Sequence, residues 1–329
     1  MKNPILGLML IIGLVLLNNA YFNSAHAQSL EKINIAYSGT GTTGYVMEIA
    51  QRTGIFRRNG LDPEVIYVGS GSLLAQALIA GTFIAALSQG SEAMSAKLAG
   101  ADVRIAAVIA NHFNHVFLTS RNITSIKQLK GKRVAVSRFG SGSHFMTNLV
   151  IKEGGLDPEK DVTTLQIGNS AARMAAILSG TVDGTIMAGD FIPRARREGF
   201  NVLVDLADSK IEYPFLSLNI VGSVIDRNFK TVKAIIKSAS EAIRVLQTDP
   251  AAAKAAIKVA LRTDDPETLE FAAARSIRVL ERRPFPTPAG IQMVLDELSP
   301  KEPKARTGKF EDFVDLRALR ELDREGVFK

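Results

Sequence analysis

The chain states one pattern twice. Ile35-Ala36-Tyr37 ends an apolar run and meets a Gly/Thr/Ser turn. Then come Gly60-Leu61-Asp62-Pro63-Glu64, an apolar stretch to Val68, Gly69-Ser70-Gly71-Ser72, a helical segment and Ala80-Gly81-Thr82. The second statement runs Val134-Ala135-Val136, a Ser/Gly turn, Gly155-Leu156-Asp157-Pro158-Glu159, Gly168-Asn169-Ser170, a helical segment and Ser179-Gly180-Thr181. The first strand and the Gly-Thr recur 99 residues apart and the Gly-Leu-Asp-Pro-Glu 95 apart, so each copy carries four extra residues in a different loop. Strands alternating with amphipathic helices build a mostly parallel sheet with helices on both faces. Two such units predict two similar α/β lobes, and the cleft between them is where a ligand site belongs.

Residues 1–27 read separately. Lys2 gives a positive start, Pro4 to Leu17 is apolar and uncharged, and Ala25-His26-Ala27 has the small-x-small form of a cleavage site. That is the pattern of a secretory signal cleaved after Ala27. The apolar run is shorter than the roughly 20 residues that span a bilayer. The chain has no cysteine. This removes disulfides, thiol chemistry and a lipidated cysteine at the cleavage site, and points to a free periplasmic protein. The net charge of +7 comes from basic residues interspersed with acidic ones, the pattern of a solvated surface and not of a nucleic-acid face.

Residues 28–115 are assigned to a first lobe and 116–213 to a second. Residues 214–329 read as a return to the first lobe, followed by helices over 231–247, 250–261, 266–280 and 288–298. Asp249-Pro250, Asp265-Pro266 and Thr287-Pro288 place proline where those helices start. The chain then crosses between lobes twice, near 112–118 and 206–218, which makes a two-stranded hinge.

Ligands of open α/β sheets sit at the carboxyl ends of strands. Six turns occupy such places: 39–44, 69–72, 88–90, 138–144, 168–170 and 188–191. Glycine and serine dominate them, and free N–H groups at a following helix start favour anions or carbonyl oxygens. Arg138 is the one cation in these turns and the candidate to meet an anionic ligand. Asp190 is read either as a helix cap or as an acceptor for a ligand N–H. Gly39-x-Gly41-x-x-Gly44 fits a dinucleotide pattern, but the acid at ribose distance, Glu64, follows Pro63, and an exported chain has no nicotinamide pool. His112 and His115 adjoin the crossing with only Asn111 and Asn114 nearby, so they read as polar hinge residues and not as metal ligands. Ser143 and His144 are sequence neighbours, a poor placement for a nucleophile and its base.

The run Leu129-Lys130-Gly131-Lys132-Arg133-Val134-Ala135-Val136-Ser137-Arg138-Phe139-Gly140-Ser141 resembles the start of the second lobe in substrate-binding proteins of nitrate/sulfonate/taurine-type ABC importers. Receptors for thiamine pyrimidine precursors belong to the same group. Gly155 to Pro158, Ala176 to Gly184, Gly199 to Leu206, Val294 to Leu298 and Phe313 to Asp315 follow it in the same order. The resemblance implies a type II, Venus-flytrap binding protein that closes on a small organic solute and docks on an inner-membrane ABC permease. It implies no catalysis, cofactor or metal, and a monomer. By position it implies ligand contacts at Thr42, Thr43, Ser70, Ser88, Gln89, Ser137, Ser141, Ser143, Asn169 and Asp190, beside Arg138. With Arg138 and Asp190 as the only charges foreseen there, a weakly charged organic solute is expected over an inorganic oxyanion. Two alternatives are a solute sensor for a signalling partner and a thiamine-pyrimidine-synthase-like enzyme.

Overall fold

A computed structural model describes residues 29–329; the signal-like segment lies outside the described residues. Strand β1 (Glu31–Ser38) buries Ile33 and Ile35 and pairs in parallel with β2 (Leu61–Val68) and β3 (Ala85–Ser88). After β4 (Val103–Ala110) the chain leaves this sheet, and it returns as β10 (Leu216–Val221), antiparallel between β3 and β4. The second sheet holds β5 (His115–Thr119), β6 (Lys132–Val136), β7 (Val162–Gln166), β8 (Gly184–Ala188) and β9 (Asn201–Asp205). Its order β7-β6-β8-β5-β9 matches β2-β1-β3-β10-β4 strand for strand.

Each sheet is therefore mixed, with a single reversed strand: β10 in one, β5 in the other. Both reversed strands follow a crossing between lobes. The other strands run toward the cleft, so a strand that begins at the cleft can only run away from it. The crossings occupy residues 111–114 and 206–215, each ending where a reversed strand begins.

The first lobe carries α1 (Thr42–Arg52), α2 (Ile55–Arg58), α3 (Gly71–Ile79) and α4 (Gly90–Leu98). The second carries α5 (Gly142–Glu153), α6 (Ser170–Leu178) and α7 (Ile192–Arg197). Then follow α8 (Gly222–Arg227), α9 (Phe229–Thr248), α10 (Pro250–Leu261), α11 (Pro266–Val279), α12 (Pro288–Leu298), α13 (Phe310–Phe313) and α14 (Arg317–Arg324). Pro250, Pro266 and Pro288 each open a helix, where a missing N–H costs nothing. Helices α9 and α10 pack on α1, which returns the C-terminal part to the first lobe; α11 also reaches α7 and the 3₁₀ turn Gly189–Phe191 of the second. In the second sheet Phe117 and Ile186 face the core shared with the first lobe, while Val116, Leu118 and Met187 pack on the opposite face with Met174, Ile177 and Ile192. Burying each such side chain contributes about 1.5–3 kcal/mol.

Strand β2 starts at Leu61 with Pro63 inside it; β2 is an edge strand, where the missing N–H can face away from the ladder. The matching Pro158 lies in the turn before β7. Helix α1 starts at Thr42, because Gly41 at φ 86° turns the chain sharply enough for the helix to begin at once.

Candidate functional site

The strand ends of both sheets converge on a cleft of about 630 Å³, counting its open mouth. Thr42, Thr43, Ser70, Ser88 and Gln89 line it from the first lobe and Ser137, Ser141 and Ser143 from the second. Ser137, Ser141 and Ser143 form a ring of hydroxyls, each 2.9–3.0 Å from the other two. Ser141 also caps α5, accepting the His144 N–H.

Three foreseen residues lie elsewhere. Arg138 is exposed, in a shallow side groove that it shares with Asn169, Ser70 and Ser137. Asn169 caps α6 through the Ala172 N–H at 3.0 Å. Asp190, 2% exposed, is off the cleft wall. It caps no helix: its Oδ2 accepts the Tyr45 hydroxyl of the opposite lobe at 2.8 Å, and its Oδ1 is enclosed without a partner. Burial pushes its carboxyl up to about 6, against the opposing pull of the Tyr45 hydrogen bond and the Arg275 charge.

The charges inside the cleft are two residues the sequence reading passed over. Arg173, 4% exposed, stands one turn into α6. It donates to the Gly168 carbonyl at 2.6 Å and the Ile186 carbonyl at 3.2 Å, and no carboxylate among the described residues forms an ion pair with it. Burial lowers its guanidinium to about 10, so it stays cationic at neutral pH. Glu92, also 4% exposed, stands in the first turn of α4, and burial raises its carboxyl while backbone N–H groups and Ser88 pull it down. The Gln89…Glu92 capping spacing was a visible signal for Glu92. Arg173 looked like an ordinary helix arginine.

The crossings are tied to this site. Asn114 donates to Thr42 at 2.8 Å, and its carbonyl accepts Arg275 Nε from α11. Arg275 in turn grips Asp205 at the end of β9 with both terminal nitrogens, one at 2.8 Å. On the second crossing Tyr213 stacks on Phe113, with its hydroxyl 2.6 Å from Ser91 and 2.9 Å from Gln89. His115 faces the cleft; burial, with the Arg173 and Arg275 charges, pushes its ring down to about 3. His144 lies instead in a neighbouring groove, its Nδ1 accepting the Gly140 N–H at 3.2 Å and its ring edge-on to exposed Phe139. No cluster among the described residues is built to hold a metal.

A family model described as NMT1/THI5 like matches residues 42–253, across both lobes and both crossings. The chain belongs to the NMT1/THI5-like family. No curated protein matches it. Among solved structures, a Bordetella bronchiseptica RB50 protein is similar with a TM-score of 0.80 at 20% identity, over 90% of this chain and 98% of that one. The alkanesulfonate-binding protein SsuA of Xanthomonas axonopodis pv. citri, bound to MOPS, gives 0.71 at 18%, over 82% and 92%. The periplasmic nitrate-binding protein NrtA of Synechocystis PCC 6803 gives 0.71 at 14%, over 90% and 89%. At these identities the likeness shows the fold, a two-lobed α/β binding-protein architecture.

Proposed function

We propose that this NMT1/THI5-like protein is an extracytoplasmic receptor that closes on a small organic anion and presents it to an ABC permease. The observation that carries this reading is Arg173: a buried guanidinium without an ion-pair partner among the described residues, facing a cleft that it shares with hydroxyls and with Glu92. A buried charge needs a counter-charge, and a carboxylate or sulfonate on the solute supplies it. Arg173 also weakens the premise on which an inorganic oxyanion was disfavoured, that Arg138 and Asp190 were the only charges foreseen at the site. That relatives of the same fold are a sulfonate-binding and a nitrate-binding protein supports an anionic cargo. The secretory pattern of residues 1–27 supports a periplasmic location, and the described residues hold no helix long and apolar enough to cross a membrane. Closure would act by population shift, the solute favouring the form that it contacts from both lobes. Ser143 bonds to Ser137 and Ser141 and not to His144, which favours binding over acyl-transfer chemistry.

The test is a dye-based thermal-shift screen of protein purified from the periplasm, then unfolded and refolded to strip its cargo. The panel holds small carboxylates, sulfonates, amides and pyrimidines. An anion at 100 times its Kd should stabilise the fold by about 2.7 kcal/mol. A response confined to neutral solutes would overturn the reading.

A further inference from the structure

The carboxylate of Glu92 sits where three helices begin, and the inference drawn from it rests on the receptor reading. Its Oε1 accepts the N–H of Gly142, the first residue of α5 in the opposite lobe, at 2.9 Å. Its Oε2 accepts the N–H of Gln89, the cap of its own helix α4, at 3.1 Å. The start of α3 presses on it as well: a Cβ added at Gly71 would fall 1.7 Å from Oε1. Both oxygens accept N–H groups, the pattern of an ionised carboxylate.

Helix starts carry partial positive charge and free N–H groups, and they attract anions. Here that seat is already filled by the chain's own acid, in the cleft that also holds Arg173. A second oxyanion brought there would meet a like charge and find the Gln89 and Gly142 N–H groups taken. A hydrogen-bond donor would instead meet a fixed acceptor.

We propose that Glu92 is a resident anion that sets the charge selectivity of the cleft. It bars oxyanions from the three helix starts, confines the acidic group of the solute to the Arg173 side, and requires a hydrogen-bond donor on the part of the solute that meets it.

The test is titration calorimetry of the processed protein with straight-chain sulfonates and carboxylates of one to four carbons. Each is paired with its ω-amino or ω-amide counterpart, and matching disulfonates are included. The wild-type protein should prefer the donor-bearing member by about tenfold, the value of one charge-assisted hydrogen bond, and ignore the disulfonates. Glu92→Gln keeps an acceptor for Gly142 but drops the charge; it should level the preference and admit a disulfonate. Equal binding of both members by the wild type, which needs no variant to fold, would overturn the proposal. So would an unchanged preference in Glu92→Gln. If no anion binds the wild type, the receptor reading itself fails and this inference with it, an outcome distinct from anions that bind without discrimination.

Discussion

One turn into the helix that follows the second strand of each copy, the first lobe has Leu74 and the second has Arg173, 99 residues later. Both are buried. Leu74 packs into the main core, whereas Arg173 hangs from the Gly168 and Ile186 carbonyls and borders the cleft. At the same spacing Glu92 stands against Phe191, and Ser91 against Asp190. Where the copies agree they make scaffold: strand order, glycine turns, capped helices. Where they disagree, the disagreements put charge at the cleft and at the lobe contact.

The hardest blow to this comparison is to exchange the residues it rests on. Leu74→Arg places a cation in an apolar core and should cost more than about 4 kcal/mol by urea unfolding. Arg173→Leu should cost only about 1–3 kcal/mol, the penalty for carbonyls left without donors. Equal costs would mean the two sites are not the different environments described here.

A second effect concerns the tie between the copies. Arg275→Met leaves Asp205 unpaired at the lobe junction and should destabilise by about 3 kcal/mol, less whatever water recovers at the partly exposed Asp205. A loss under about 0.5 kcal/mol would reduce the pair to an exposed salt bridge in value.

A third effect is pH dependence, where two groups oppose each other. Burial raises Asp190 from an ordinary value near 4 to about 6 and lowers His115, and we assign the burial of both groups to closure. The cost of Asp190 to closure is therefore absent below the lower value, grows between the two, and is complete above the higher. His115 is lowered to about 3, so closure is unhindered above the usual histidine range and weakens as pH falls through it. Between pH 7 and 5, Asp190→Asn should make affinity fall with acid, and His115→Gln should make it rise, each by about tenfold. Identical pH profiles for both variants and the wild type would disconnect these residues from closure.

The smallest effect lies in the repeated Gly-Leu-Asp-Pro-Glu. Pro63 sits in an edge strand and Pro158 in a turn, yet Pro→Ala at either should change stability by under about 1 kcal/mol.

The scaffold was legible because repetition, strand period and proline-opened helices are local signals; the two crossings, the C-terminal return and the glycine turns are all visible in sequence order. The hydroxyls of the cleft were legible for the same reason, since a serine after a strand sits at its carboxyl end. Arg173 and Glu92 were not sought because a charge inside a helix ordinarily faces water. What brings them inward is tertiary: carbonyls of Gly168 and Ile186 around one, helix starts from both lobes around the other. Aligning the two copies against each other would have exposed both, as a charge set against a core leucine and a charge set against a phenylalanine.

The most direct test of the account is calorimetry on Arg173→Leu with the anion that most stabilises the wild-type protein. The account predicts a folded variant with a cooperative melt and affinity reduced at least about a hundredfold, the loss of a buried ionic anchor. Binding within threefold of wild type would contradict it, because the anion would then be held by the hydroxyls and helix starts alone.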